Sequence, residues 1–185
     1  MRIVAGEFGG RRLSAVPGMA TRPTTDKVKE ALFNIIGPYF SGGTSLDLYG
    51  GSGGLSIEGG SRGIEHATLV DRAYSAIKTI KDNIGVTKHP EKFTVLKMDS
   101  RKALTVLVKQ EKKFDLVYLD PPYAKQQIVK DMTRMAELNL LNDDALIVAE
   151  TNQEANLPEN IDSFSFIKRQ NYGITVLNFY RFERG

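Results

Sequence analysis

Short apolar runs recur along the chain from residue 44 onward, and each is followed by a longer amphipathic stretch. Such runs are typical of buried parallel strands, and the amphipathic stretches are typical of the helices between them. The pattern predicts strands at 44–48, 67–71, 93–97, 114–119 and 145–150, with helices near 53–60, 73–84, 100–110 and 125–138. Two further strands, at about 164–169 and 174–182, are expected to pair antiparallel around Tyr172-Gly173. The predicted fold is a doubly wound α/β sheet of seven strands, the last one antiparallel.

Two elements are predicted ahead of the sheet. Residues 2–6 and 11–13 favour a short hairpin that turns at Gly9-Gly10. A helix is expected to start at Thr24-Thr25-Asp26, since these residues supply a cap and an early acid, and to end at Gly37-Pro38. We therefore expect a hairpin arm over residues 1–23 and one globular domain over residues 24–185.

The arm carries the whole excess of positive charge. The chain has a formal net charge of +3, and residues 1–23 hold four arginines (Arg2, Arg11, Arg12, Arg22) against Glu7 alone. Such an arm suits a polyanion, because contacts to phosphates supply most non-specific affinity for nucleic acid. The alternative is a solvated hairpin whose arginines bind nothing.

The amino-acid composition argues against several kinds of functional site and segment. With no cysteine and only two histidines, a thiolate or histidine metal site and a Ser-His-Asp triad are not expected. No apolar run approaches the roughly 20 residues of a membrane helix, and no apolar signal segment is recognised near the start. We expect a cytoplasmic protein, and nothing in the sequence demands a dimer.

Acidic residues stand at or beside the ends of the first four predicted strands, at Asp47, Asp71, Asp99 and Asp120. In doubly wound sheets, ligands bind at the carboxyl ends of the strands, near the point where the strand order reverses. The first acid precedes a glycine-dense loop, Gly50-Gly51-Ser52-Gly53-Gly54, which can bring the backbone close to a ligand. The four acids together suggest a ligand with an adenosine part and a positively charged part.

Each acid has a candidate role. Asp71, which lies 20 residues past Gly51, can accept from two ribose hydroxyls. Asp99 could accept from an adenine amino group, although Asp99 or Ser100 could equally cap the next helix. A dinucleotide oxidoreductase is disfavoured, because Ser56 occupies the third glycine position and Asp47 would repel a pyrophosphate.

The fourth strand ends in Asp120-Pro121-Pro122-Tyr123, which cannot continue a ladder. The Asp120 carboxylate and the Pro121 carbonyl could accept the two hydrogens of an exocyclic base amine, which is otherwise a poor nucleophile. Tyr123 offers a face on which an extruded base can stack. The alternative is a plain turn at the end of a strand.

These residues, together with Arg22 to Asn34, Ser61-Arg62-Gly63 and Tyr172-Gly173, resemble bacterial RsmD-type methyltransferases. The resemblance covers essentially the whole chain. It implies a Rossmann-like fold, S-adenosylmethionine as cofactor, and the exocyclic N2 of a guanine in 16S ribosomal RNA as the methyl acceptor. The implied substrate is an assembled small-subunit particle. The chain departs from the family at Gly50, Ser56 and Gly59-Gly60, where alanine, glycine and an Ala-Leu pair are common.

The predicted site residues come from the pattern at the strand ends and from the resemblance to the family. Predicted catalytic residues are Asp120, Pro121, Pro122 and Tyr123, and predicted RNA-binding residues are Arg2, Arg11 and Arg12. Predicted cofactor-binding residues are Asp47, Tyr49, Gly51, Ser52, Gly53, Asp71, Arg72, Asp99, Ser100, Arg22 and Thr25. Two other functions stay open: a DNA adenine-N6 methyltransferase, and a non-catalytic RNA-binding module that keeps a vestigial cofactor fold.

Overall fold

The structure is a computed structural model that describes residues 1–18 and 24–184. Seven strands form one sheet in the order β3-β2-β1-β4-β5-β7-β6. They are β1 (Thr44–Asp47), β2 (His66–Asp71), β3 (Phe93–Lys97), β4 (Phe114–Leu119), β5 (Leu141–Thr151), β6 (Phe164–Tyr172) and β7 (Thr175–Phe182). The first five strands run parallel, and β7 pairs antiparallel with β5 and β6. The predicted fold class is confirmed.

Within the described residues, five α-helices accompany the sheet. They are α1 (Asp26–Ile36), α2 (Gly54–Ser61), α3 (Tyr74–Thr87), α4 (Ser100–Lys109) and α5 (Ile128–Glu137). The predicted helix and strand positions are confirmed to within a few residues, except at the start of β5. That strand begins at Leu141, which pairs with Phe114 before the register shifts. Because polar residues 142–144 follow Leu141, the apolar pattern concealed this first part of the strand.

The strand order places the switch point between β1 and β4, since the chain adds β2 and β3 on one side and then crosses to the other. Asp47 ends β1 and Asp120 directly follows β4. Ligand sites of such sheets lie at this crevice. The fold therefore brings the glycine loop and the Asp-Pro-Pro-Tyr turn to opposite sides of one opening.

Residues 1–18 form a hairpin that packs against the rest of the domain. An antiparallel bridge joins Arg2 to Arg12, and the Ile3 amide donates to the Arg11 carbonyl at 2.9 Å. The hairpin pairing is thus confirmed, but as a single bridge closed by a wider turn than Gly9-Gly10. Ile3, Phe8 and Leu13 are buried in the cluster formed by α2, α3, β2 and β3.

A buried ion cluster ties the N-terminal residues to the helices. The Glu58 carboxylate, fully buried on α2, accepts from the backbone amides of Val4 and Ala5 at 2.8 and 3.1 Å. It also pairs with Arg62 at 2.8 Å and with Lys29 of α1 at 3.4 Å. A buried carboxylate is tolerated only when it is satisfied in this way. Glu58 therefore joins residues 1–18, α1 and α2 into one unit.

The unusual Gly59-Gly60 pair in α2 has a packing cause. A Cβ on Gly59 would lie 2.5 Å from the hydroxyl oxygen of Tyr118 on β4, and a Cβ on Gly60 would lie 3.1 Å from the ring of Phe93. Two helical glycines cost roughly 1 kcal/mol each relative to alanine. Here that cost is the consequence of making room for aromatic side chains in the sheet.

Candidate active site

A cavity of about 1530 Å³ opens at the carboxyl ends of the parallel strands. All four predicted strand-end acids line it, together with Pro121, Pro122 and Tyr123. Thr25, Tyr49, Gly51, Ser52, Arg72 and Ser100 line it as well. Because pockets for one small ligand usually measure about 300 to 1,000 Å³, this cavity has room for two reactants.

The glycine loop forms one wall and needs its glycines for backbone conformation. Gly51 and Gly53 have φ angles of +59° and +83°, which other residues rarely adopt. The Gly53 amide donates to the Gly50 carbonyl at 2.8 Å, and Asn83 of α3 donates to the Ser52 carbonyl at 2.8 Å. Gly53 caps α2 and does not itself line the cavity.

Asp47 is a deeply buried acid of the site, with 2% of its surface exposed. Its carboxylate accepts from the Tyr49 amide at 3.3 Å and from the Ser56 hydroxyl at 3.4 Å. Burial, and to a smaller extent the nearby Asp71 carboxylate, raise the pKa of Asp47 from 3.8 to about 7. Ser56 thus helps to support this carboxylate.

Asp71 is oriented by two backbone amides. Its two carboxylate oxygens accept from the Gly51 amide at 3.0 Å and from the Ala73 amide at 2.9 Å. Each oxygen keeps a further lone pair for a hydroxyl donor. The geometry links the glycine loop to the end of β2 and suits an acceptor for a ribose.

Asp99 has the capping role that the sequence left open. It is the N-cap of α4, and its carboxylate accepts from the Lys102 amide at 2.9 Å. That hydrogen bond lowers the pKa of Asp99. Because the side chain also lines the cavity, its predicted adenine contact stays a prediction.

The Asp-Pro-Pro-Tyr turn forms the opposite wall. After β4 ends, residues 123–125 make a short 3-10 turn in which the Lys125 amide donates to the Pro122 carbonyl at 3.0 Å. The Tyr123 ring is half-buried at the edge of the cavity. Burial, followed by the negative charges of Glu150 and Asp47, raises the pKa of Asp120 well above its usual range.

Two acidic residues of the cavity, Glu150 and Asp131, were missed by the sequence analysis. Glu150, near the end of β5, accepts from the Thr24 hydroxyl at 2.9 Å, and Asp131 of α5 accepts from the Tyr49 hydroxyl at 2.6 Å. Glu150 was detectable, because it ends the apolar run 146–149 as the other acids end theirs. Asp131 lies inside an amphipathic helix and gave no such signal.

The predicted RNA-binding arginines have different environments. Arg2 pairs with Asp26 at 3.3 Å, and the Arg11 guanidinium donates to the carbonyls of Val86 and Thr87 at the end of α3, both at 3.1 Å. Arg12 is exposed and forms no hydrogen bond or ion pair within the described residues. Arg22 lies outside the described residues, so its predicted role at the cofactor stays a prediction.

No helix in the described part of the chain is long and apolar enough to cross a membrane. Within residues 1–18 and 24–184, no group of three or more histidine or acidic side chains could hold a metal ion. The donor set suits a different ligand. A buried carboxylate with a raised pKa (Asp47) favours a cationic group, and an oriented carboxylate (Asp71) favours a diol, so the residues fit S-adenosylmethionine.

The seven-stranded sheet with its acids and Asp-Pro-Pro-Tyr turn at the switch point defines a Rossmann-like methyltransferase. The sequence model of the family described as "Conserved hypothetical protein 95" matches residues 1–181. The chain belongs to this family, and its resemblance to RsmD-type methyltransferases is confirmed.

Individual relatives agree with this assignment. The chain is 45% identical to "Putative rRNA methyltransferase YlbH" of Bacillus subtilis over 98% of both proteins. It is 33% identical to "Ribosomal RNA small subunit methyltransferase D" of Haemophilus influenzae over 98% of this chain and 93% of that protein. The solved structure of the putative methyltransferase yhhF from Escherichia coli superposes with a TM-score of 0.83 at 28% identity, covering 100% of this chain and 99% of that one.

Proposed function

We propose that the protein transfers a methyl group from S-adenosylmethionine to the exocyclic N2 amine of a guanine in 16S ribosomal RNA. The observation that carries the proposal is the position of Asp120-Pro121-Pro122-Tyr123 on one wall of a cavity whose other wall holds the glycine loop and Asp71. The names of both relatives support ribosomal RNA as the substrate, and the name of the Haemophilus influenzae protein supports the small subunit.

When bound, S-adenosylmethionine supplies a methyl group activated by a sulfonium. Asp47 would hold a positively charged group of this cofactor, and Asp71 would accept from its ribose hydroxyls. The Tyr49 hydroxyl, fixed by Asp131, closes the same side of the cavity. These residues bind and orient, and most of the acceleration would come from position and electrostatics.

The target amine would be held by the turn after β4. The Asp120 carboxylate and the Pro121 carbonyl would accept its two hydrogens, which favours a pyramidal and more nucleophilic nitrogen. Proline keeps this arrangement stiff, because it restricts its own φ and the preceding residue. The half-buried ring of Tyr123 would stack on the extruded base.

Basic side chains around the cavity suit a substrate that carries phosphates. Arg72, Arg101, Lys125 and Lys130 all line the cavity, and none forms an ion pair with another described residue. Together with the exposed Arg12 they would contact the RNA backbone. We expect the enzyme to act as a monomer in the cytoplasm, on an assembled subunit or an assembly intermediate.

The test is a methyl-transfer assay with labelled S-adenosylmethionine. The purified protein is given small ribosomal subunits that lack the modification, the naked RNA from those subunits, and DNA. The products are digested, and the modified nucleoside is identified by mass. The matched control is Asp120→Ala, which should keep cofactor affinity and lose most of the transfer rate.

N2-methylguanosine from subunits is the expected product. N6-methyladenine from DNA would keep the chemistry of Asp120 and refute the substrate. Cofactor binding with no product from any of the three substrates would refute the substrates offered here. If the cofactor does not bind either, the vestigial RNA-binding module is the better description.

A further inference from the structure

The turn between β6 and β7 reaches the cavity on the side of the Asp-Pro-Pro-Tyr motif. Val176 of β7 pairs with Thr151 at the end of β5, so the turn that precedes Val176 extends past the carboxyl end of β5. Ile174 in this turn lines the cavity together with Tyr123. The strands that lead to the glycine loop and to Asp71 lie on the other side of β4. The turn therefore belongs to the half of the cavity proposed for the target base.

Ile174 is an unusual residue for this position. Tyr172 pairs with Thr175, which leaves a two-residue turn whose first residue, Gly173, has a φ of +65°. The central residues of hairpin turns are usually glycine or short and polar. Ile174 is β-branched and apolar, and 67% of its surface is exposed. The turn itself gives no reason for such a side chain.

The position of this side chain sets it apart from other exposed apolar groups. Four large apolar side chains of the described residues are exposed: Tyr39, Tyr74, Ile167 and Ile174. Of these, only Ile174 lines the cavity. A ligand of the cavity would therefore meet one exposed apolar side chain, and it would meet it beside the catalytic motif.

The turn is held in place by contacts on its β6 side. The side-chain amide of Gln153, which follows β5, donates to the Gly173 carbonyl at 2.7 Å. Tyr172 is half-buried and packs against the apolar cluster that includes Leu32 and Phe33 of α1. Because the backbone is already fixed, little further ordering is needed when Ile174 contacts a ligand.

The proposed reaction creates a gap that an apolar side chain can fill. An exocyclic base amine reaches Asp120 only after the base has left its stack, and leaving costs the contacts with the neighbouring bases. Proteins that open a base step frequently insert an apolar side chain between the bases. Lys125 and Lys130 line the same cavity and suit the phosphates on either side of such a base.

We propose that Ile174 is a wedge that packs against the RNA base next to the target guanine and fills the place that the target leaves in the stack. This inference rests on the proposed function. It makes the β6–β7 turn part of the RNA interface. Ile174 then favours the extruded state of the base without contact to the reacting amine or the cofactor.

The first test measures single-turnover methyl transfer to small subunits that lack the modification, with the subunits in excess. Ile174→Ala should lower the rate about tenfold, because the open stack loses its apolar partner. Ile174→Leu keeps the apolar volume and should stay within about threefold of the wild type. Ile167→Ala is the matched control, since Ile167 is an exposed isoleucine of the same hairpin that does not line the cavity. It should leave the rate unchanged.

Two binding measurements separate a wedge from other roles. The affinity for S-adenosylmethionine should be the same in wild type and Ile174→Ala, because the turn lies away from the glycine loop. The salt dependence of RNA binding should also be the same, because an apolar side chain releases no counterions. A weakened cofactor affinity would assign Ile174 to the cofactor site and overturn the inference. Equal transfer rates in wild type and Ile174→Ala would overturn it as well.

The second test locates the contact by photochemical cross-linking. A photoreactive p-benzoylphenylalanine is placed at position 174, or at position 167 as the control, and the protein is irradiated with the same subunits. Primer extension then maps the cross-linked nucleotide. Position 174 should cross-link to a nucleotide adjacent to the guanine that the wild type methylates, and position 167 should not.

The possible results separate this inference from the proposed function. A cross-link only to a distant nucleotide, a cross-link only to a ribosomal protein, or no cross-link would overturn the wedge while RNA methylation by the wild type still stands. Wild-type protein that methylates no RNA would instead refute the proposed function, and the wedge with it.

Discussion

Replacing Asp47 by asparagine should stabilise the free protein and weaken its cofactor site. The carboxylate is buried, and its pKa is raised from 3.8 to about 7. Asparagine has the same shape, and its carbonyl can still accept from the Tyr49 amide, while the Ser56 hydroxyl can accept from the new amide. The substitution therefore removes a costly charge and keeps the hydrogen bonds.

The magnitude follows from proton linkage. A folded-state pKa above the unfolded one means that the native protein binds more protons between about pH 4 and pH 7, so the free energy of unfolding falls as pH rises through this window. About three pKa units at about 1.4 kcal/mol each amount to about 4 kcal/mol by pH 8. Of this loss, about 2.5 kcal/mol falls between pH 5 and pH 8.

Urea unfolding of the cofactor-free protein measures the effect. At pH 5, 6, 7 and 8, the stability advantage of Asp47→Asn over wild type should grow by about 2.5 kcal/mol from the lowest to the highest pH. Asp99→Asn is the control, because Asp99 caps α4 with a lowered pKa and asparagine caps equally well. Its difference from wild type should not grow as pH rises.

Two results would refute the reasoning about Asp47. If the advantage of Asp47→Asn is the same at pH 5 and pH 8, Asp47 does not titrate in this range. If the variant is stabilised as expected but binds S-adenosylmethionine as tightly as the wild type, the buried charge of Asp47 does not serve to bind a cation. A calorimetric titration with the cofactor at pH 8 decides the second point.

Three further predictions concern the core and the N-terminal residues. Glu58→Ala should lower the free energy of unfolding by about 3 to 5 kcal/mol in urea, because it leaves buried donors and cations unpaired. Gly59→Ala should be destabilising alone but tolerated with Tyr118→Phe, whose lost hydroxyl has no hydrogen-bond partner within the described residues; a double-mutant cycle measures this coupling. Arg11→Ala should cost about 1 kcal/mol of stability, whereas Arg12→Ala should leave stability unchanged and reduce the salt dependence of RNA binding.

The sheet and most of the site could be predicted because local pattern and topology carry them. Apolar runs mark the parallel strands, and parallel topology places their carboxyl ends together, so acids far apart in sequence meet at one opening. The same rule extended one strand further would have included Glu150. Asp131 could not be found in this way, because its contact with Tyr49 depends on how α5 packs against the loop after β1.

The N-terminal residues show what a count of charges leaves out. Counting arginines predicted an arm that binds a polyanion, which stays a prediction, but the count did not indicate that Ile3, Phe8 and Leu13 are buried or that Arg11 donates to carbonyls of α3. These three apolar residues follow neither a helix nor a strand period, because they come together only through a wide turn. The role of Gly59 could not be predicted from the local sequence either. Glycine is required there because a Cβ would come too close to Tyr118, which lies on β4.

One electrostatic feature connects stability with the proposed chemistry. Asp47, Asp120 and Glu150 are crowded into one buried site: burial raises the pKa of each, and neighbouring negative charges raise the pKa of Asp47 and Asp120 further. This crowding lowers the stability of the free protein at neutral pH, as the linkage argument for Asp47 shows. A cationic ligand beside Asp47 would offset the negative charge on one side of the cavity, and a base amine that donates to Asp120 would offset it on the other side. The charge that destabilises the empty site is therefore the charge that would bind both reactants.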